Sequence, residues 1–431
     1  MQPPNRTSSV SMTASLQSRS IASGQVHIMT GTTAASRHVK QYAKIGTAPE
    51  HDHKVVGIDL DRPNTYLLFG VQGSGKSYTL QLLIESALVP SPSLNALPSP
   101  PCVVVFHYSP DRAYGPEALK MVNANDDAEQ VAKLQSLWMS SPAKVTDVVH
   151  LCQERKVGLR KSQSPEGVQV QAILAGMKEL TFEDWLVLLG AVGEESDYLQ
   201  TMYLILERCV DAGAISLSDV RAGVEASRLS AADKDRASLR LDFLAQFVRD
   251  DGNLTSLVKP GRLIVVDLRD ITKESAFRLI VVLMRLFGQA KLPNGGICPK
   301  ILALDEFHVY AQDDSLVSEL DRTVRMMRHS STSIIFASQD PCLVKPTIIE
   351  LASIIGINRI ISPRHTAWLG QYNEAMRELK TGDLKKLMPG QGYWWSRDCS
   401  DSALSEAPFL VHFRPAYTKP TGSTKTATSQ S

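Results

Sequence analysis

Along this chain, short unbroken apolar runs alternate with stretches whose apolar residues recur every three or four positions. The runs at 55–60, 66–69, 102–106, 263–266, 301–304 and 333–337 have the length and composition of buried strands. Leu80, Leu83, Ile84, Ala87 and Leu88 follow the second run at helical spacing and predict an amphipathic helix. Further helices are expected over 232–249, with Leu239, Phe243 and Phe247 inward, over 274–289, and over 315–329. The last has the apolar stripe Leu316, Leu320, Val324 and Met327. From about Tyr114 to Val258 the pattern is helical, and Thr181-x-x-Asp184 and Ser216-x-x-Asp219 read as N-terminal capping pairs. Strands alternating with helices, interrupted once, predict an α/β fold with a mostly parallel sheet and an all-α insertion. The expected boundaries are a core over 51–113 and 259–417 and a helical insertion over 114–258. Residues 1–50 are expected to form a low-complexity, disordered leader, and 418–431 a disordered tail.

Bulk properties add limits. The chain has 431 residues, 43% of them hydrophobic, enough for a substantial core and two or three folding units. Lys and Arg number 46 against 45 Asp and Glu, so no global basic excess announces nucleic acid. An oligomer that grips DNA through a few pore loops also stays neutral overall. The six cysteines lie far apart without a C-x-x-C pair, several in apolar runs, and read as reduced structural residues. No apolar run approaches a membrane span and no secretory signal core occurs, so the expected location is cytoplasmic, with no membrane partner. No acidic residue precedes Glu50, while Ser, Thr and Ala abound beside Arg6, Arg19 and Arg37. That composition overlaps an organelle transit peptide, although a loosely attached leader is the plainer reading.

The chemistry concentrates where the second strand meets its helix. Gly70-Val71-Gln72-Gly73-Ser74-Gly75-Lys76-Ser77 fits G-x-x-x-x-G-K-[ST], the phosphate loop. Its glycines let backbone N–H groups turn inward around phosphates, and the helix N-terminus adds partial positive charge. Lys76 would reach the β- and γ-phosphates and the Ser77 hydroxyl would ligate Mg²⁺. Gly70, Gly73, Ser74, Gly75, Lys76, Ser77 and the following Tyr78 are therefore the candidate nucleotide contacts, with ATP and Mg²⁺ as ligands. Hydrolysis also needs a second metal carboxylate and a group that orients water. Leu304-Asp305-Glu306 supplies both, Asp305 for Mg²⁺ and Glu306 for the water. Asp267 also ends an apolar strand, but Leu268 follows it, so it reads as a strand-end residue starting a turn. Gln339, in Ala337-Ser338-Gln339-Asp340-Pro341, either contacts the γ-phosphate or water or belongs to an ordinary turn. Arg322, Arg325 and Arg328 lie opposite the apolar stripe of their helix, as a solvated face or as an arginine finger for a neighbouring subunit.

Taken in order, these elements resemble the HerA/FtsK superfamily of ring ATPases, and most closely its HerA-like branch. The resemblance includes Gly261 to Leu268, Leu304-Asp305-Glu306-Phe307-His308, Ser338-Gln339-Asp340-Pro341 and a closing Phe413-Arg414-Pro415 with Gly422-Ser423-Thr424-Lys425. It implies a RecA-like P-loop NTPase core, a hexameric ring, ATP hydrolysis at subunit interfaces and translocation along double-stranded DNA. By the same resemblance Lys76, Glu306, Gln339 and Arg328 are catalytic, with Arg325, Arg359 and Arg364 as alternatives for the finger. Lys345, Arg364 and His365 are candidates to line a DNA channel or are ordinary surface residues. Only about fifty residues precede the core, and they do not resemble the small β-barrel that opens typical HerA proteins. A nuclease or other effector protein docking through such a barrel is thereby placed in question. The function expected is a DNA translocase or helicase in repair or phage defence. An ATP-driven assembly switch gating a protein partner, and a coupling ATPase for conjugative transfer or secretion, are the alternatives. A DExH helicase is disfavoured because no Q-x-x-G-R-x-G-R element follows Asp305.

Overall fold

The computed structural model describes residues 25–191, 196–213, 215–310, 314–327 and 330–421. It has two compact units, one built from Met1–Pro100, Lys120–Thr146 and Ser333–Ser431, the other from Pro101–Leu119 and Asp147–Thr332.

In the first unit, the strand Thr65–Phe69 runs parallel to Thr332–Ser338 on one side and to Ile354–Ile357 on the other. Beyond Ile354–Ile357 the sheet turns antiparallel through Gln391–Ser396, Phe409–Phe413 and Tyr42–Ala48. Tyr42–Ala48 pairs antiparallel with Lys54–Asp59, which pairs parallel with Ile28–Thr30. All five residues of Thr65–Phe69 are buried, as a strand covered on both faces requires. The helix Lys76–Leu88 follows the phosphate loop.

The second unit holds an all-parallel run of five strands in the order Lys300–Leu304, Cys102–His107, Leu263–Asp267, Val148–Cys152 and Val168–Ala172. The helix Lys273–Gln289 links two of these strands, and its long apolar face (Ala276, Phe277, Ile280, Val281, Met284, Phe287) is buried. The helix Asp314–Met327 buries Leu316, Leu320, Val324 and Met327, the stripe read from the sequence. The fold class is α/β with mostly parallel pairing, as expected, and the antiparallel part comes from the first and last strands of the chain.

Four expectations are corrected. The stretch 114–258 is not all-α: Val148–Cys152 and Val168–Ala172 are strands of the parallel run. The first carries His150 inside an apolar run and the second alternates Val and Gln, so neither stands out against neighbouring helical periodicity. Its α-helices are Ala128–Trp138, Val157–Gln163, Phe182–Leu188, Asp197–Asp211, Leu217–Ala226 and Ala231–Leu244, and both expected capping pairs form, Thr181 with Asp184 and Ser216 with Asp219. Leu239 is 71% exposed, because the inward residues of Ala231–Leu244 are Ala237, Leu241 and Leu244, and Phe247 is buried beyond the helix end. The leader is structured from residue 25 onward: Val26, Ile28, Met29, Ala43 and Ile45 are buried through strand pairing that its Ser- and Thr-rich composition conceals. The tail is bonded through Thr421, whereas 1–24 and 422–431 lie outside the described residues. Among the described residues no helix is long and apolar enough to cross a membrane.

Candidate nucleotide-binding site

Three parallel strands of the first unit end side by side, and the phosphate loop leaves the central one. Gly70 N–H donates to the Ser338 carbonyl at 3.3 Å, and Val71 N–H donates to the Arg359 carbonyl at 3.0 Å. These bonds fix the loop entrance between Ser338–Gln339 on one neighbour and Asn358–Arg359 on the other. Ligand crevices of parallel sheets lie at such carboxyl ends. A Cβ on Gly70 would stand 2.4 Å from Ser74 Oγ, so only glycine lets the loop fold back on its first residue. Gly75 caps the helix in the left-handed region, with φ +96°, where any side chain is strained. Thr79 N–H then closes the first helical turn on the Gly75 carbonyl at 2.9 Å.

The loop fits a bound phosphate group on chemical grounds. Ser74 is 2% exposed, and its Oγ is a buried hydroxyl with no hydrogen-bond partner among the described residues. Lys76 is 4% exposed and is the first residue of the helix, whose N-terminal end carries the positive pole of the helix dipole. A phosphate oxygen would answer both features. Ser77 is half-buried beside them. Gln339 directly follows the residue bonded to Gly70, which puts its backbone beside the loop. Tyr78 belongs to a different contact: its hydroxyl donates to the Arg414 carbonyl at 3.0 Å and accepts from Ala416 N–H at 2.8 Å. Through its hydroxyl Tyr78 holds the segment that begins at Arg414.

Two contributors escaped the sequence reading. Asn358 Nδ2 donates to Thr79 Oγ1 at 3.2 Å and to the Gln391 carbonyl at 3.1 Å, tying the helix to the next strand. The signal was a lone amide closing the apolar run Ile354–Ile357. The other is Glu85. The helix Lys76–Leu88 is buried on almost all sides rather than amphipathic, because residues 414–421 cover its polar face.

In the second unit, Asp305 and Glu306 follow Lys300–Leu304 and are both half-buried. Glu306 has φ 53° and ψ 40°, left-handed backbone that is costly for a residue with a Cβ. Its N–H donates to Asp305 Oδ1 at 2.9 Å, and Glu306 Oε2 lies 3.4 Å from His308 Nδ1. Strain concentrated on an acidic residue at a strand end is a mark of a functional position. The Tyr310 phenol titrates well above its ordinary value, through burial first and then the charges of Asp305, Tyr108 and Glu306. Tyr114 is raised through burial, Glu117, Asp305 and Glu306 in that order. Both phenols therefore remain protonated beside the acidic pair at neutral pH.

Asp267 is 3% exposed and its carboxylate is surrounded: His150 Nε2 at 3.3 Å, Arg160 Nε at 3.2 Å and Arg269 Nε at 2.9 Å. Burial alone would push this carboxyl up, but the His150 hydrogen bond and the Arg269 charge outweigh it and hold it at about 2. A group depressed in the fold stabilises fully above its ordinary value of 3.8 and loses that contribution as pH falls through about 2. Asp267→Asn is expected to cost about 3 kcal/mol at neutral pH, since two buried arginines lose their anion. It should also flatten the acid limb of the stability profile between those two values. Urea unfolding at neutral and acidic pH checks both.

Arg322 pairs with Glu319 at 3.6 Å and Arg325 with Asp321 at 3.1 Å, each arginine about half exposed. Arg328 lies outside the described residues. Arg364 precedes His365 near the start of the helix Pro363–Tyr372.

With this geometry in hand, comparison with solved structures is informative. The chain is similar to VirB4 of Thermoanaerobacter pseudethanolicus, with TM-score 0.56 and 12% identity over 87% of this chain and 96% of that one. It is also similar to the plasmid coupling protein TrwB in complex with ADP and Mg²⁺, with TM-score 0.52 and 11% identity over 89% and 97% of the two chains. The chain therefore shares the fold of these two proteins, a RecA-like α/β fold with a mostly parallel sheet. At this identity the likeness establishes the fold and nothing finer. No protein-family model and no curated protein matches the chain.

Proposed function

We propose that this protein is an ATP-hydrolysing motor that translocates or unwinds double-stranded DNA as a homo-oligomeric, hexameric ring. The observation that carries the reading is the phosphate loop, with its buried Lys76 and partnerless Ser74 hydroxyl, held between the strand ends that carry Gln339 and Asn358. In this reading Gly70, Gly73, Ser74, Gly75 and Lys76 hold the triphosphate, and Ser77 and Asp305 hold the metal. Glu306 takes the proton of the attacking water, and Gln339 senses the γ-phosphate. Held by Ser77 and Asp305, Mg²⁺ would supply positive charge that offsets the negative charge developing on the phosphates. The complex of the plasmid coupling protein with ADP and Mg²⁺ supports the same ligand pair here. Arg328 is the proposed finger, with Arg325, Arg359 and Arg364 as alternatives. A HerA-like role in repair or phage defence, beside a nuclease or other effector protein, is the finer form of the proposal.

The test is ATP turnover with and without duplex DNA at rising salt. Stimulation by duplex that fades as salt rises is expected, since phosphate contacts release counterions. Turnover indifferent to DNA but altered by a protein partner would replace the motor by an assembly switch. A coupling ATPase for conjugative transfer or secretion is the second reading, favoured by the likeness to a plasmid coupling protein. It predicts stimulation only when a transfer or secretion partner is present. Glu306→Gln is expected to keep ATP bound while turnover falls about 10²-fold or more, within the range of general-base contributions. Loss of ATP binding in that variant would remove Glu306 from its role.

A further inference from the structure

One cluster of metal-ligand chemistry lies outside this machinery. Asp340, Cys342 and His365 bring a carboxylate oxygen, a thiol and an imidazole nitrogen within 4.8 Å of one another. The other five cysteines are buried, whereas Cys342 is half-exposed. Two elements hold the cluster. Asp340 caps the turn Pro341–Leu343 by accepting Cys342 N–H on Oδ1 at 2.8 Å, and its own N–H is held by Ser338 Oγ at 3.2 Å. His365 sits in the first turn of the helix Pro363–Tyr372, with Nε2 3.3 Å from Asp340 Oδ1. Cys342 Sγ faces the Arg364 carbonyl at 3.9 Å, and His365 Nδ1 is buried with no hydrogen-bond partner among the described residues.

We propose that Asp340, Cys342 and His365 form a three-ligand site for a divalent transition metal of the zinc class. Tetrahedral zinc takes sulfur at about 2.3 Å and nitrogen or oxygen at about 2.0–2.2 Å, so its ligands lie roughly 3.3–3.8 Å apart. The cluster reaches that spacing by contracting about 1 Å at its widest edge. The cation takes the place of the proton shared between imidazole and carboxylate. A thiol beside an imidazole selects zinc, cobalt or their like over Mg²⁺ or Ca²⁺, which prefer all-oxygen shells. Three protein ligands leave a fourth position for water or another donor. Asp340 immediately follows Gln339, so a bound metal fixes the end of the strand that carries it.

Cobalt(II) titration of the reduced, tag-free full-length protein, in excess Mg²⁺ and without nucleotide, tests the assignment. The expected result is one equivalent bound with thiolate-to-cobalt charge-transfer absorption, displaced by Zn²⁺. Cys342→Ser should abolish that absorption with the circular dichroism spectrum unchanged. Loss of even an outer-shell partner weakens metal sites about 10–100-fold, so Asp340→Asn and His365→Gln should weaken binding at least tenfold. They carry the test if the serine variant misfolds, since asparagine keeps a capping acceptor. No cobalt uptake, or a thiolate band that survives Cys342→Ser, would overturn the proposal.

Discussion

Lys76→Ala is expected to lower ATP turnover by about 10³-fold, since a single preorganised donor aimed at developing charge contributes about 10²–10³ and this one is also a full charge. Lys76 is 4% exposed in the first turn of the helix, where a bound anion would meet both its charge and the backbone N–H groups. In this reading Lys76 serves the ligand, and it is the first residue of its helix, so the apo variant should remain folded. ATP with Mg²⁺ should then lose its protective effect. A ligand at a hundred times its Kd stabilises by about 2.7 kcal/mol, a shift that thermal unfolding with and without nucleotide resolves. Full nucleotide-dependent stabilisation together with turnover within a few-fold of the parent would mean that the loop does not hold phosphate through Lys76.

How much of this was legible depended on whether a signal was local. The phosphate loop was, because its letters, its buried strand and the helix behind it are contiguous and each demands the others. Runs such as Ile301–Leu304 and Leu263–Val266 were legible because four apolar residues in a row suit only a strand buried on both faces. Two early strands were not: Ile28–Thr30 gains its burial from Lys54–Asp59, and Tyr42–Ala48 from Lys54–Asp59 and from Phe409–Phe413, a partner distant in sequence. Val148–Cys152 was hidden in the same way, because His150 breaks its apolar run and its reason, the carboxylate of Asp267, lies 117 residues away. That contact also explains why Asp267 resembles a metal-binding strand-end acid without being available as one. Glu306 could be read as an acid after a strand, but not as a residue in left-handed backbone.

The least legible feature gives the second large effect. Arg414 and Glu85 are fully buried, with Nη1 2.7 Å from Oε1, and neither residue signals the other in the sequence. Arg414 also donates to the Lys44 carbonyl at 2.9 Å and to Ser86 Oγ at 2.7 Å, and lies 4.2 Å from the Tyr417 ring centroid. Glu85 accepts from the N–H groups of Tyr417 and Thr418 at 3.1 and 3.0 Å and from Thr418 Oγ1 at 2.7 Å. Removing either partner leaves a charge in the core and orphans the backbone groups bonded to it. Arg414→Ala and Glu85→Ala should therefore each cost about 4–5 kcal/mol, the upper part of the range for breaking a buried pair. Arg414→Lys should recover little, because an ammonium cannot reach three acceptors in the guanidinium's plane. The double variant Glu85→Leu/Arg414→Met should cost clearly less than the sum of the single losses, since no unpaired charge remains. Urea unfolding of the four variants measures the coupling, and additivity within about 0.5 kcal/mol would show that the two residues act independently. Because Glu85 sits about two and a half turns along the helix that begins at Lys76, a slackened clamp should also raise the ATP concentration needed for half-maximal turnover, even where the protein stays folded. The single-clamp variants then separate the two roles assigned to that helix, the proposed hold on phosphate at its first turn and the attachment of residues 414–421 at its far end.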